Sequence, residues 1–199
     1  MKKFILAILI VIILTTLPIF AKSNYYFTGD SVFSIRAGVT LPAFFAFPAN
    51  PDKALVPFEN THMHPGGLAS LAYQVFVTPS LALGGQIEYG FNYSNSNNLL
   101  TTIPLSGKLS YIPVQTGKFD LAFSLNLGAA FIRYNDGKYL APFASATITP
   151  SFYFNESWGL GLETGLLTTF EVYLPNSNKN KDTCIAAMMP ISLVLSYRH

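Results

Sequence analysis

Residues 81–93 read LALGGQIEYGFNY, and residues 119–131 read FDLAFSLNLGAAF. In the first stretch one set of alternate positions is Leu81, Leu83, Gly85, Ile87, Tyr89, Phe91 and Tyr93. The other set is Ala82, Gly84, Gln86, Glu88, Gly90 and Asn92. In the second, Phe119, Leu121, Phe123, Leu125, Leu127, Ala129 and Phe131 alternate with Asp120, Ala122, Ser124, Asn126, Gly128 and Ala130. A helix would scatter these sets around a cylinder. A strand points successive side chains to opposite faces and separates them cleanly.

Six further segments alternate in the same way: 31–41, 68–77, 101–112, 142–154, 158–170 and 189–198. Eight strands are therefore expected, an even count as single-chain bacterial barrels have. Short turns fall at Thr78-Pro79-Ser80, Pro113–Lys118 and Asn155-Glu156-Ser157, and longer or more polar connections at 42–67, 94–99, 134–140 and 174–183. Short turns on one side and long loops on the other give an outer-membrane topology, with the long loops outside. The first loop, 42–67, mixes Phe44, Phe45, Phe47, Val56 and Phe58 with prolines and is expected to fold over the barrel mouth. Pro104, Pro150 and Pro190 fall inside strands, where each removes a ladder donor, and bulges are the expected accommodation.

The N-terminus points to export. Lys2 and Lys3 precede an apolar run from Phe4 to Leu14, and Ala21 follows Leu17-Pro18-Ile19-Phe20. A basic n-region, an apolar h-region and a small residue at the cut describe a secretory signal peptide over residues 1–21, leaving 22–199 as the mature domain. An uncleaved anchor helix is the competing view, but the run is short for a bilayer and Pro18 interrupts it. Twelve Lys+Arg stand against ten Asp+Glu in the whole chain, and removing Lys2 and Lys3 leaves ten against ten. No basic surplus remains to suggest nucleic acid as a partner.

Charged residues make up 11% of the chain, against about 25% in ordinary soluble domains. Aromatics reach 15%, with eleven Tyr and seventeen Phe. After the leader, no run approaches the ~20 apolar residues that a membrane helix needs. In lipid every backbone donor and acceptor must find a partner, so an apolar exported chain of this kind is expected to close into an antiparallel transmembrane β-barrel. Cys184 is alone, so no intramolecular disulfide can staple the fold.

Aromatics fall where membrane interfaces would place them. The apolar faces carry Tyr111, Phe119, Phe152, Phe154, Trp158 and Tyr197 toward the short turns, and Tyr89, Phe91, Tyr93, Phe131 and Phe170 toward the loops. These make two girdles around an aliphatic band. A soluble lipocalin-like barrel would turn the apolar face inward, but Gly, Ala and Ser on the polar face suit the cramped lumen of eight strands. In these respects the chain resembles the small eight-stranded outer-membrane barrels of the OmpA, OmpX and OmpW kind, most of all their loop-heavy, cysteine-poor spirochaete version. The resemblance covers nearly the whole mature chain and is architectural. It implies residence in outer-membrane lipid and insertion by the barrel-assembly machinery. Members commonly end in an aromatic residue, usually Phe, that this machinery reads; here the chain ends Leu195-Ser196-Tyr197-Arg198-His199, so Tyr197 would serve from two residues upstream.

Four charged residues fall inward near mid-strand: Arg36, Glu88, Lys108 and Glu163. Charge at membrane depth is costly unless paired or facing a polar interior, so they are expected to neutralise one another, as a structural network or as a plug resembling the charged network inside OmpA. Folding the chain about the Ser94–Asn98 turn is taken to pair residues whose numbers sum to about 196, which sets Glu88 against Lys108. His62 and His64 form a His-x-His pair near Asp52 and Glu59, a weak zinc or copper candidate without a third nearby His or Cys. Rim-sited catalysis is conceivable in barrels of this size, but no motif picks out a nucleophile and base. The expected role is structural or adhesive, with a possible extracellular ligand at loop 42–67. A narrow passage for small, apolar solutes as in OmpW-like proteins is the alternative, and no cofactor is implied.

Overall fold

The computed structural model describes residues 25–50, 54–135, 137–173 and 180–199; the expected leader, 1–21, lies outside them. Among the described residues nine antiparallel strands form: β1 (Ser31–Ala46), β2 (Leu55–Pro57), β3 (Gly66–Thr78), β4 (Leu81–Tyr93), β5 (Leu99–Gln115), β6 (Phe119–Tyr134), β7 (Gly137–Tyr153), β8 (Trp158–Glu171) and β9 (Cys184–Arg198). Eight of them make the wall in the order β1-β3-β4-β5-β6-β7-β8-β9, and β9 pairs with β1 to close it. The protein is an eight-stranded antiparallel up-and-down barrel. Closure removes the sheet edges that lipid could not satisfy.

The alternation does what it predicts. Leu71, Tyr73, Leu83, Ile87, Leu105, Leu125, Leu127, Leu160, Leu162 and Leu193 project outward, and Arg36, Ser70, Gln86, Glu88, Ser106, Asn126, Ser145, Glu163 and Ser192 are buried within. The girdle residues Tyr89, Tyr93, Tyr111 and Trp158 are exposed on the outer face. Trp158 and Tyr197 touch with ring centroids 4.9 Å apart, joining β8 and β9 at the turn-side rim. An outer belt of this size has no aqueous explanation in a monomer. The inside-out alternative of a soluble barrel is overturned by these directions.

Four expectations need correction. The loop 42–67 is partly strand: β1 runs on to Ala46, and Phe44, Phe45 and Ala46 pair with Pro57, Val56 and Leu55 of β2. The connection at 134–140 is a tight hairpin in which Tyr134 pairs directly with Gly137, with Asn135 in the left-handed region at φ 52° that asparagine tolerates. The turn at Pro113–Lys118 begins later, because β5 continues to Gln115 across a register shift between Tyr111 and Val114.

The fourth concerns the strand prolines, which sit in no bulge. Each keeps one neighbour in register, Pro104 with Ala130, Pro150 with Leu121 and Pro190 with Thr40. On the other side the ladder skips and resumes in the same register: from Ile87–Leu105 to Gly90–Thr102, from Ile148–Thr164 to Ser151–Gly161, and from Thr164–Ile191 to Leu167–Met188. A missing N–H deletes a rung but adds no residue, so the strands have no reason to slip. The register shifts lie elsewhere, at Pro42/Phe44, Phe76/Thr78 and Tyr111/Val114.

Candidate functional site

The lumen is built from inward side chains, and a layer of charge crosses its middle. Arg36 on β1 is 3% exposed. Its two terminal nitrogens go to different strands, one to the Glu88 carboxylate on β4 and one to the Glu163 carboxylate on β8. The planar guanidinium suits this, because its donors diverge in a fixed fork. Its Nε donates to Ser70 Oγ at 3.0 Å. Glu88 also accepts from Gln86 Nε2 at 3.1 Å, and Glu163 from Thr149 Oγ1 at 3.2 Å. One cation thus serves two acids with every remaining contact polar, the condition under which buried charge is tolerated.

Three of the four mid-strand charges named from the sequence therefore meet. Lys108 does not join Glu88. The Ser94–Asn98 turn is centred on Ser96, so residues summing to 192 face each other: Ile87 meets Leu105 and Gly84 meets Lys108. The expected sum of 196 misplaces that centre by two residues, and the partners by four, beyond diagonal reach. Lys108 Nζ donates instead to Gln86 Oε1 at 3.2 Å. Gln86 bridges the lysine to the charged layer through its other end.

Toward the short turns lies a second cluster that the sequence alone did not single out. Tyr26, ahead of β1, is 1% exposed. Its ring stacks on Phe76 with centroids 4.0 Å apart and planes 12° from parallel. Its hydroxyl donates to Asp120 and lies 3.3 Å from the Tyr153 hydroxyl. Burial, then Tyr153 and Asp120, push this phenol above the ordinary tyrosine range, so it remains a donor. Arg198 is ion-paired with Asp120 at 3.6 Å. Asp120 and Arg198 both stood on inward positions by parity, at strand ends; Tyr26 precedes every strand and carried no periodic signal. Between this cluster and the Arg36 layer is a small chamber of about 60 Å³, lined by Lys108, Ser110, Ser124, Thr149 and Ser151 among others.

On the loop side of the Arg36 layer the lumen turns apolar. Leu68, Ala130, Ile132, Ala141, Phe143 and Leu167 form a buried cluster. Beside it opens a pocket of about 70 Å³, where Leu100, Ile132, Phe143, Leu167 and Met188 meet Thr40, Glu88 and Asn92. Ala130 is on the inward set by parity, whereas large inward side chains such as Ile132, Phe143 and Leu167 depart from the simple division into a polar lumen and an apolar exterior.

His62 and His64 are exposed in the first loop. Asn95 N donates to His62 O at 2.8 Å and His64 N to Tyr93 O at 2.6 Å, so the backbone on either side of Met63 is tied to the β4–β5 turn. Among the described residues no group of three or more His, Cys, Asp or Glu could hold a metal. Asp52 lies outside the described residues, and of the Glu59 side chain nothing is described.

A protein-family model matches residues 16–197 of the chain. A curated protein from Borreliella burgdorferi, described as uncharacterised, is 28% identical over 137 residues, covering 66% of this chain. The chain spans 60% of that relative's length. Among solved structures, Neisserial surface protein A superposes with a TM-score of 0.53 at 9% identity, covering 86% of this chain and 98% of that one. The attachment invasion locus protein Ail of Yersinia pestis, solved with the heparin analogue sucrose octasulfate, gives 0.49 at 9% identity, covering 86% and 99%.

Proposed function

We propose that this chain, which belongs to the family matched across residues 16–197 and is a small eight-stranded outer-membrane β-barrel, is a scaffold that displays its first loop outside the cell for structural or adhesive contact. The observation that carries this is a folded loop with apolar side chains held in the open. Leu55 is 64% and Phe58 49% exposed, on a segment made of β2 and a short 3-10 turn, Phe58–Asn60. Met63 bridges to Ser94, fastening the segment to the neighbouring turn. Solvent-facing apolar residues on an ordered loop suit contact with another surface. The filled lumen supports the same view, since the Arg36 layer leaves no wide aqueous path. Residence in outer-membrane lipid and handling by the barrel-assembly machinery complete the proposal, with Tyr197 beside Trp158 as the terminal aromatic.

The test replaces residues 47–64 with a short Gly/Ser turn and measures attachment of intact cells to a panel of immobilised extracellular proteins. Attachment should fall while the barrel still resists unheated detergent. Unchanged attachment across the panel would sink the adhesive role.

A second reading, a narrow passage for small apolar solutes, is favoured by the apolar pocket on the loop side. Uptake of such solutes into vesicles carrying the protein, against empty vesicles, measures it. A rim-sited enzyme is the least supported reading, because the side-chain neighbour of the His62 Nδ1 is the Asn95 amide at 3.4 Å rather than an acid or a nucleophile.

A further inference from the structure

We propose that the turn-side mouth of the lumen is a peptide-binding site, and that its resident ligand is the chain's own segment Tyr25-Tyr26-Phe27. This is independent of the loop-side role. The segment belongs to no strand, and what holds it comes from far along the chain. Gln115 Oε1 accepts from two consecutive backbone amides, Tyr25 N at 3.0 Å and Tyr26 N at 3.2 Å. The amide end of Gln115 is itself fixed, donating to Pro79 O at 2.7 Å and Ile112 O at 3.1 Å. A buried side chain is thus pre-positioned by the barrel to read a peptide backbone, as a recognition site requires.

The two rings ahead of Phe27 have separate receptors. Tyr26 enters the lumen, stacking on Phe76 and giving its hydroxyl to Asp120. Tyr25 lies under Arg198, whose guanidinium carbon is 3.9 Å from the Tyr25 ring centre and 3.5 Å from that of Tyr153. Stacking on two aromatic faces is a favourable setting for a guanidinium. Arg198 is anchored by its own bonds, Nε to Glu156 O at 2.7 Å and Nη2 to Gly117 O at 2.6 Å. The receptor is complete without the ligand: Gln115, Asp120, Tyr153 and Arg198 all sit on barrel strands.

The link to β1 is a short hydrogen-bonded turn. Phe27 is 68% exposed. Gly29 takes φ 99°, and a side chain added there would meet nothing within 4 Å. The turn itself is fastened, Phe27 N donating to Asp30 Oδ2 at 2.8 Å and Gly29 N to Phe76 O at 2.9 Å, so the segment enters the mouth from a fixed point on the wall. Behind it lies the small chamber, so leaving the mouth would admit water as far as the Arg36 layer. The ligand class is defined by these contacts: a peptide with two consecutive aromatic residues, the second a tyrosine, each with its own backbone N–H free to donate.

The experiment uses the full chain in detergent or nanodiscs, with Tyr26→Ala to vacate the mouth. The probe is a fluorescently labelled synthetic peptide of residues 23–30. The unmodified barrel should bind it little, because the site is occupied. Tyr26→Ala should bind it saturably, at least tenfold more tightly than a probe carrying the same Tyr26→Ala change, and Gln115→Ala in addition should abolish binding. No binding to Tyr26→Ala, or equal binding of the two probes, overturns the proposal. Should Tyr26→Ala not fold, a protease site inserted after Thr28 in the exposed turn is cut after folding. The cut barrel should then take up the labelled probe, and failure to do so equally overturns it.

Discussion

The Lys108 ammonium donates to the Gln86 side-chain oxygen at 3.2 Å, two residues short of the acid that charge pairing alone would choose for it. Gln86 and Glu88 point the same way along β4, so the lysine reaches the nearer, neutral one. Because the two share Gln86 without touching, a double-mutant cycle of Glu88→Gln and Lys108→Met should show a coupling of only about 1 kcal/mol. Urea unfolding in detergent measures it, and a coupling well above that size would place Lys108 on Glu88 after all.

Arg36 is the residue whose loss should matter most. Arg36→Met leaves Glu88 and Glu163 facing each other across a buried lumen, each without its cation. Removing one member of a buried ionic set typically costs about 3–5 kcal/mol, whereas removing all of it is far milder. The triple variant Arg36→Met, Glu88→Gln, Glu163→Gln should regain much of the loss in the same unfolding measurement. A triple variant no more stable than Arg36→Met would mean that the three do not act together.

Gly84 and Gly85 are neighbours with opposite expectations. A methyl group at Gly84 would run into the carbonyl oxygen of Tyr73 on the adjacent strand, whereas at Gly85 the nearest atom, Ser106 O, is 3.8 Å away. Gly84→Ala should therefore destabilise the barrel by about 1–3 kcal/mol through overpacking, and Gly85→Ala should leave its heat resistance nearly unchanged. Equal effects would show that the wall gives at this point.

Sidedness follows from loop length. Single cysteines at 48–50 or 54–66 should react with an impermeant thiol reagent on intact cells, and cysteines at 116–118 should not, in a background with Cys184→Ser. The reverse pattern would invert the topology.

The wall was legible because a two-residue period is a local property: Leu81 to Tyr93 declares its two faces without reference to any other strand. Arg36, Glu88 and Glu163 were legible for the same reason, since an inward charge at membrane depth can be read from parity. Their partnership was not, because it depends on which rung meets which. A turn centre placed two residues off set Lys108 against the wrong neighbour. Proline spoke only half clearly: its missing donor foretold a broken rung but not that the register would survive. Tyr26 was invisible, since a residue outside every periodic segment acquires its meaning only when Phe76, Asp120 and Tyr153 have been brought around it.

The three proline interruptions fall on the β4–β5, β7–β8 and β8–β9 seams. The seam between the first and last strands is spared: eleven successive pairs run from Val32–Arg198 to Pro42–Met188 before a shift occurs. Those two strands are the farthest apart in the chain, and their union is the step that turns a curved sheet into a tube. Reversing it would require many rungs to break in concert within hydrocarbon, where no water waits to replace them. The eleven adjoining rungs ahead of the Pro42/Phe44 shift must part together before the tube opens, so its endurance is a matter of rate as much as of equilibrium.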